Sequence, residues 1–543
     1  MNHLNSVDSL VIGFYFCITL GVAWWAARSS KKDAADYFLA GRDNGWFVIG
    51  ASMFASNIGS EHLVGLAGSG ASSGLAVGHF EWLSSIMVLI LGWLFVPFYL
   101  RSSVVTMPEF LERRYNRGCR WYLTLLSVVS YILTKVSVGL YAGGVVIESL
   151  TGLDTWYSAG VIVIVTGLYT VAGGLRAVLY TDALQSIIFV IGTTVLVLCG
   201  LNEVGGWEAL RESVPAGHFS MWKTVSDPNF PWTGIVFGAP ILGMWYWCTD
   251  QYMVQRELSA KSLDQAQTAA VFTGYLKILP VFLFVLPGVI AASLYPQLNA
   301  SNSDRALPML LLNLALPIGV RGLIIAALLA ALMSSLSSTF NSCSTLVTWD
   351  LYRQLHPTAS ERTLVNVGRI STVVMVILGL AWIPFMKYIS SQLYIYLQSV
   401  SGYLAPPIAA CFLLGLFIPR LNGIGALTTM IVGFCIGMLR LVMELGAKRG
   451  TIAEGSFWRT FAEINFLHFA ALLFVFCSAL LIVVSYCTKA PDPDRIAGLT
   501  WRTANQLPQS AAMTEHSRGL RTLNITLSVL LVAIVCALWT IFA

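Results

Sequence analysis

Ser334, Ser335, Ser337 and Ser338 place four hydroxyls in five consecutive positions of an otherwise apolar run, Ala331 to Ser338. On a helix Ala331, Ser334, Ser335 and Ser338 share one face at spacings of three and four, so several oxygens converge on one point. Hydroxyl and carbonyl oxygens are what a hard monovalent cation needs. The competing reading is close helix packing, with each hydroxyl bonded to a carbonyl one turn back. A second segment points the same way. Between Gly50 and Gly70 the middle of a membrane-length span reads Ala55-Ser56-Asn57-Ile58-Gly59-Ser60-Glu61-His62, polar and glycine-punctuated. In hydrocarbon such an interruption is tolerated only where it packs in protein or lines a water-filled cavity. A helix broken at this level exposes carbonyls that can hold an ion or a solute.

These segments must be positioned by an apolar scaffold, and the composition supplies one. The 543 residues are 56% hydrophobic and 11% charged, against about 25% charged in soluble proteins. That excludes an ordinary soluble enzyme and implies an all-α polytopic membrane protein. Fourteen apolar spans are expected, at 8–27, 45–70, 78–100, 121–150, 156–173, 178–201, 232–250, 266–293, 319–350, 364–387, 391–417, 422–445, 463–486 and 520–542. With the loops grouped alternately, one side holds about 20 Lys and Arg and the other about 7, which makes the first side cytoplasmic and puts both termini outside. Met1 to Asp8 carries no Lys or Arg whereas Arg28, Lys31 and Lys32 follow the first span, so this span is expected to remain as a membrane helix. None of the ten cysteines falls in the expected external loops 202–231, 296–318 or 446–462, which argues against an extracellular disulfide framework, and their spacing is not that of metal ligands. The Asn299-Ala300-Ser301 sequon is too short a pattern to weigh. The polar stretch 488–519, with Pro491, Pro493 and Pro508, reads as a cytoplasmic loop.

Polar groups interrupt the apolar runs in two places that recur. The first half carries 50–62, Glu81 and Asp182, and the second carries Tyr246-Trp247, Lys277, Ser334-Ser335 and Gln398. The recurrence suggests two five-helix repeats, 45–201 and 232–417. Around them lie an N-terminal peripheral helix and cytoplasmic loop (1–44), an external loop (202–231) and peripheral C-terminal helices (418–543).

The stretches GASMFASNIGSEHLVGLAGSG, VTMPEF, AVLYTDALQ, WYWCTDQYMVQRELSAKS, ALMSSLSSTFNSCSTL and YLQSVSGYLAPPIAA resemble the sodium/solute symporter family, in its sodium–glucose cotransporter branch. Gly415-Leu416, Arg420 and Gly425-Ala426 also fit that family's second signature, G-L-x3-R-x4-G-A. The resemblance covers nearly the whole chain, in order. It implies a ten-helix core of two inverted repeats with discontinuous first and sixth core helices, one helix before the core and three after. It further implies a first sodium site from carbonyls of Ala55, Ile58 and Ala331 with hydroxyls of Ser334 and Ser335. Members that bind a second sodium resemble this chain at Asp182, Ser334, Ser337 and Ser338. The family's sugar positions match Asn57, His62, Glu81, Tyr246, Trp247, Lys277 and Gln398, with Tyr246 resembling the aromatic that closes the pocket on its inner side. Gly243 departs from the family's usual Asn or Thr, which would leave room for a bulkier hexose. Glu61 and Lys135 match no role.

Four residues have plainer readings. Asp182 would cap a helix start near the cytoplasmic interface. Glu81 and Lys277 would be a buried ion pair fixing two helices, and Trp247 an interfacial anchor. What the resemblance implies overall is a sodium-driven symporter that imports glucose or galactose by alternating access, with two sodium ions per sugar. Its expected partners are the sugar, sodium as coupling ion, and the bilayer, with no nucleic acid and no obligate protein partner. Its expected place is the plasma membrane, the inner membrane if the source is bacterial. Another polyol, an amino sugar or a sugar acid would be the alternative solute, and a sugar-gated sodium-conducting sensor the alternative class. An enzyme is disfavoured by the lack of a metal-ligand cluster, nucleophile elbow or phosphate loop.

Overall fold

The computed structural model describes residues 5–29, 33–140, 143–144, 148, 152, 154–299, 302–382, 393–504 and 518–543. Residues 300–301 of the sequon lie outside that set. Helices dominate the described residues: α1 (Ser6–Ser29), α2 (Trp46–Asn57), α3 (Ser60–Ser73), α4 (His79–Ile90), α5 (Arg117–Ser130), α6 (Thr155–Val204), α7 (Ala239–Met244), α8 (Gln251–Glu257), α9 (Leu263–Leu276), α10 (Leu286–Leu294), α11 (Val320–Leu346), α12 (Leu393–Phe417), α13 (Gly423–Lys448), α14 (Phe466–Cys487) and α15 (Arg518–Ile541), with a further 22-residue helix, Glu361–Trp382, before α12 and shorter helices and turns between.

Among the described residues, eleven helices are long and apolar enough to cross a membrane. Two of them, His62–Ser102 and Trp156–Val204, each run across a non-helical glycine that lies between two expected spans: Gly74, at φ/ψ of 73°/−149°, between 45–70 and 78–100, and Gly174, at 54°/−148°, between 156–173 and 178–201. A side chain would resist either positive φ. The expected span 232–250 is absent from the long helices because it is cut into Trp232–Phe237, α7 and a π turn at Trp245–Thr249.

Both expected interruptions are real breaks. Ile58 and Gly59 are extended between α2 and α3, at φ/ψ of −90°/91° and −96°/178°. Asp250 is extended at −78°/127°, and its side chain caps α8 by accepting from the Tyr252 amide. The serine helix α11 packs most extensively on α6, while α2 lies against α6, α9 and α11. Glycine permits the tightest crossing, between α3 and α10. A Cβ on Gly288 would stand 1.9 Å from the Ala67 carbonyl oxygen, and one on Gly70 would stand 2.3 Å from that of Val285.

Among the described residues, four of the five π turns fall into two matching pairs. Leu91–Phe95 and Val281–Val285 each precede a proline by two residues, at Pro97 and Pro287. Tyr131–Val136 and Val347–Tyr352 extend α5 and α11. A proline clashes with the carbonyl four residues back, here that of Trp93 or Leu283, and the wider π turn containing that residue makes room.

The connecting segments gather at two ends. At one, the Asp8 carboxylate accepts from the Gly322 amide at 2.8 Å at the start of α11. At the other end of α11, Arg120 pairs with Asp350 at 2.6 Å and with Glu112 at 2.6 Å. Nearby on that side Arg114 donates to the carbonyls of Gly415, Ile418 and Leu421, and Arg495 to that of Glu112.

Candidate functional site

One cavity lies between the two breaks. Asn57 at the end of α2, His62 on α3, Glu81 on α4, Tyr246 and Trp247 in the π turn and Gln398 on α12 all line it. Lys277, just past α9, stands behind this wall. Its ammonium pairs with Glu81 and donates to Asn57 Oδ1 at 2.5 Å. Both members of the pair are buried, so the plain ion-pair reading holds alongside the cavity reading: Glu81 meets the cavity and Lys277 neutralises it from behind. Asn57 donates its amide to Tyr246 Oη at 3.1 Å, and Gln398 donates to Tyr394 Oη at 2.9 Å.

Trp247 is no interfacial anchor. It is 1% exposed, and its indole N–H donates to Ser84 Oγ at 2.9 Å. Its ring stands edge-on to Tyr246, at 5.4 Å and 82°. The rings of His62 and Tyr394 meet at 5.7 Å across the cavity wall. The extra room expected at Gly243 is taken up by Met87, whose Cγ lies 2.9 Å from where a Cβ would stand. The side chain of Glu61 lies outside the described residues.

Lys135, which matched no role, belongs to the cavity wall. It pairs with Asp250 at 3.1 Å, at the second break. Its ammonium lies 3.4 Å from the centroid of the Tyr252 ring, 4.7 Å from that of Tyr246 and 4.9 Å from that of Tyr131, the geometry of a cation held on π faces. Asp250 also accepts from the Tyr131 hydroxyl. A charge inside an apolar span was the signal that marked Lys135, but its partners come from elements distant in sequence. The two charged side chains on the cavity wall, Glu81 and Lys135, are each matched by a partner, Lys277 and Asp250, so these pairs add no net charge. Amide, carboxylate and aromatic walls of this kind suit a neutral solute rich in hydroxyls.

A second cluster surrounds Asp182, which is fully buried in the interior of α6. The helix-cap reading is thereby corrected, because the helix resumes directly after the non-helical Gly174, so that Asp182 lies about two turns inside it and not at its start. The carboxylate accepts from Ser334 at 2.7 Å, Ser52 at 2.7 Å, Ser56 at 2.9 Å and Ser338 at 3.4 Å. Ser337 behaves differently and donates to its own helix, to the Ser334 carbonyl at 3.0 Å. Ser335 likewise donates to the Leu332 carbonyl at 3.1 Å, the pattern expected of packing. At the first break the Ala55 carbonyl accepts from the Ile58 amide at 3.1 Å. Ala55, Ile58 and Ala331 are all fully buried, on or beside helices α2 and α11 that pack together.

The cluster contains groups that sequence reading missed. Ser52 and Ser56 lie one turn apart on α2, and Ser56 Oγ is 2.9 Å from Ser338 Oγ. Tyr252 donates to the Ser56 carbonyl, and Arg256 approaches Asp182 to 3.6 Å. Polar residues at spacing four on the span before the break, and an arginine in the quoted stretch WYWCTDQYMVQRELSAKS, were the available signals.

The sodium:solute symporter family profile matches residues 37–433. Rabbit (Oryctolagus cuniculus) sodium/glucose cotransporter 1 is 41% identical over 92% of this chain and 82% of its own. Mouse (Mus musculus) sodium/glucose cotransporter 4 is 40% identical over 92% of this chain and 78% of its own. The solved structure of a Na+-coupled sialic acid symporter, 21% identical, superposes with a TM-score of 0.76 over 90% of this chain and 99% of that one, a likeness of fold. A profile spanning most of the chain, relatives aligned over nine-tenths of it and a cavity held between two broken membrane helices agree, and this chain belongs to the sodium:solute symporter family.

Proposed function

We propose that the protein is a sodium-driven symporter for a neutral hexose, glucose or galactose, working by alternating access. The observation that carries this reading is the convergence of Asn57, His62, Glu81, Tyr246, Trp247 and Gln398 on one cavity between the two breaks. Lys277 acts by holding Glu81 and Asn57 in place. Asn57, Glu81 and Gln398 offer donors and acceptors to sugar hydroxyls, and Trp247 and Tyr246 offer rings to the apolar face of a pyranose. The relatives named sodium/glucose cotransporters support the same solute.

Sodium couples to this cavity at the breaks. The first site is assigned to the carbonyls of Ala55, Ile58 and Ala331 with the hydroxyls of Ser334 and Ser335, and binding there requires Ser335 to turn from the Leu332 carbonyl. The second is assigned to Asp182, Ser334, Ser337 and Ser338, and requires Ser337 to turn from the Ser334 carbonyl in the same way. Two ions per sugar follow. Sodium entering from outside orders the junction of α2 and α11 and so shapes the cavity, and reciprocity requires the sugar to tighten sodium. The floor formed by Lys135, Asp250, Tyr246 and Tyr252 parts for release to the cytoplasm.

The architecture behind this is a core of two five-helix repeats, 45–201 and 232–417, within fourteen membrane passes. The paired π turns support that division. Both termini are assigned to the outside of a plasma membrane, as the excess of Lys and Arg on the opposite face favours. No protein partner and no nucleic acid enters the mechanism.

The test is uptake of labelled glucose and galactose into proteoliposomes under an inward sodium gradient and set voltage, in wild type and Ser337→Ala. Sodium-dependent accumulation with a two-ion reversal potential, falling toward one ion in the variant, is expected. Sodium current without accumulation would mean a sensor. Absence of hexose uptake with sodium binding intact would move the assignment to another polyol, an amino sugar or a sugar acid.

A further inference from the structure

The pairing of Asp182 with Arg256 is incomplete in a way that bears on the second sodium site. The closest approach, Arg256 Nη2 to Asp182 Oδ2, is 3.6 Å, too long for a hydrogen bond. Two serines join the charges instead. Arg256 Nε donates to Ser52 Oγ at 3.0 Å, and Ser52 donates to the carboxylate at 2.7 Å. Arg256 Nη2 donates to Ser338 Oγ, and Ser338 donates to the carboxylate at 3.4 Å. The remaining guanidinium nitrogen, Nη1, donates to the Tyr252 carbonyl on its own helix. Asp182 and Arg256 are both essentially without solvent exposure, so neither charge has water as an alternative partner.

A sodium ion held by Asp182 and Ser338 would bind the same Ser338 Oγ that now accepts from Arg256. It would also stand within a few ångströms of the guanidinium, and two positive charges so close in a dry interior repel strongly. The two cations therefore exclude one another. Arg256 is also part of α8, directly after the second break, and Tyr252 on the same helix donates to the Ser56 carbonyl beside the first break. Arg256 leaving Asp182 thus loosens one of the ties between α8 and the helices α2 and α11.

Resting on the second-site assignment made above, we propose that Arg256 is a tethered counter-ion that competes with sodium for Asp182, the guanidinium reclaiming the carboxylate when the ion leaves. It is a positioning residue. It never touches the sugar, and it sets how tightly the second ion is held and ties that occupancy to the cytoplasmic half of the broken helix.

The test is a sodium titration of purified, reconstituted protein at fixed voltage, in wild type, Arg256→Ala and Arg256→Lys, with and without guanidinium chloride at non-denaturing millimolar concentration. Removing the competitor should tighten sodium half-saturation roughly tenfold in Arg256→Ala, on the scale of a close charge pair. Free guanidinium should then fill the place left by the side chain and weaken sodium again competitively, while leaving wild type unmoved. Arg256→Lys keeps the charge with a poorer fork and should tighten sodium by a smaller factor. That variant carries the test if the alanine protein does not fold. Unchanged or weaker sodium binding in a folded variant that still binds sugar would overturn the proposal, as would indifference of Arg256→Ala to guanidinium. A wild-type reversal potential reporting a single ion would remove the second site itself, whereas two ions with an unmoved Arg256→Ala titration would remove only the competition.

Discussion

Lys277 stands behind the cavity wall and not on it. Its ammonium is the counter-charge of Glu81 and also fixes Asn57. Lys277→Met should cost about 3–5 kcal/mol of stability, because a buried carboxylate is left unpaired. Adding Glu81→Gln should recover most of that loss without restoring uptake. Thermal unfolding and uptake on the same preparations check this, and a double variant that regains transport would reduce the pair to scaffolding. At this scale the sequence was informative about which polar residues matter and silent about whom they meet. Glu81, Lys277 and Asp182 stand out because charges in apolar spans are costly. Ser52 does not stand out, and Ser56 does so only as part of the broken segment, since a serine in a membrane helix also satisfies itself on the preceding turn. Gly243 misled for a related reason: an absent side chain suggests space only until the opposite residue, here Met87, is known.

Helices α3 and α10 cross where neither can carry a side chain. Gly288→Ala drives a Cβ against the Ala67 carbonyl, so the variant should lose about 1–3 kcal/mol, the usual cost of overpacking. Gly160→Ala, which meets nothing within 4 Å, should leave the unfolding temperature unchanged, and equal losses in the two would mean that the crossing does not matter. The loop after α6 is secured near the same place, with His218 Nε2 3.3 Å from the Ala71 carbonyl. Burial holds this imidazole below its ordinary value, with the Ala71 contact partly opposing. The folded protein thus favours the neutral ring, a contribution complete above the ordinary imidazole value and fading as pH falls through the lower folded one. Unfolding temperature should decline between about pH 7.5 and about pH 5 more steeply in wild type than in His218→Gln, and superimposable profiles would dismiss the effect. Elements long enough to cross a membrane were legible from hydropathy, and so were both breaks. Helix α8 was hidden because its polar sequence, Gln251 to Glu257, reads as a loop until its buried partners are seen.

For the whole molecule the stoichiometry decides what work can be done. A potential of about 100 mV with a tenfold sodium gradient lets one ion sustain roughly 500-fold accumulation and two roughly 10⁵-fold. Sugar retained at equilibrium in tight proteoliposomes therefore separates the cases, and a ceiling near the lower figure would eliminate the second ion. The sequence located the connecting segments through their lysines and arginines, and the contacts at the two ends of α11 group those segments. It could not locate the π turns, because one extra residue in a helical turn leaves hydropathy untouched. Those turns carry a historical consequence. A regular helix can arise twice independently, whereas a one-residue irregularity followed at the same offset by a proline, at Leu91–Phe95 and again at Val281–Val285, is the kind of flaw a duplication would copy. If the halves descend from one duplicated ancestor, the insertion came before the duplication, and a reconstructed ancestral half should already contain it.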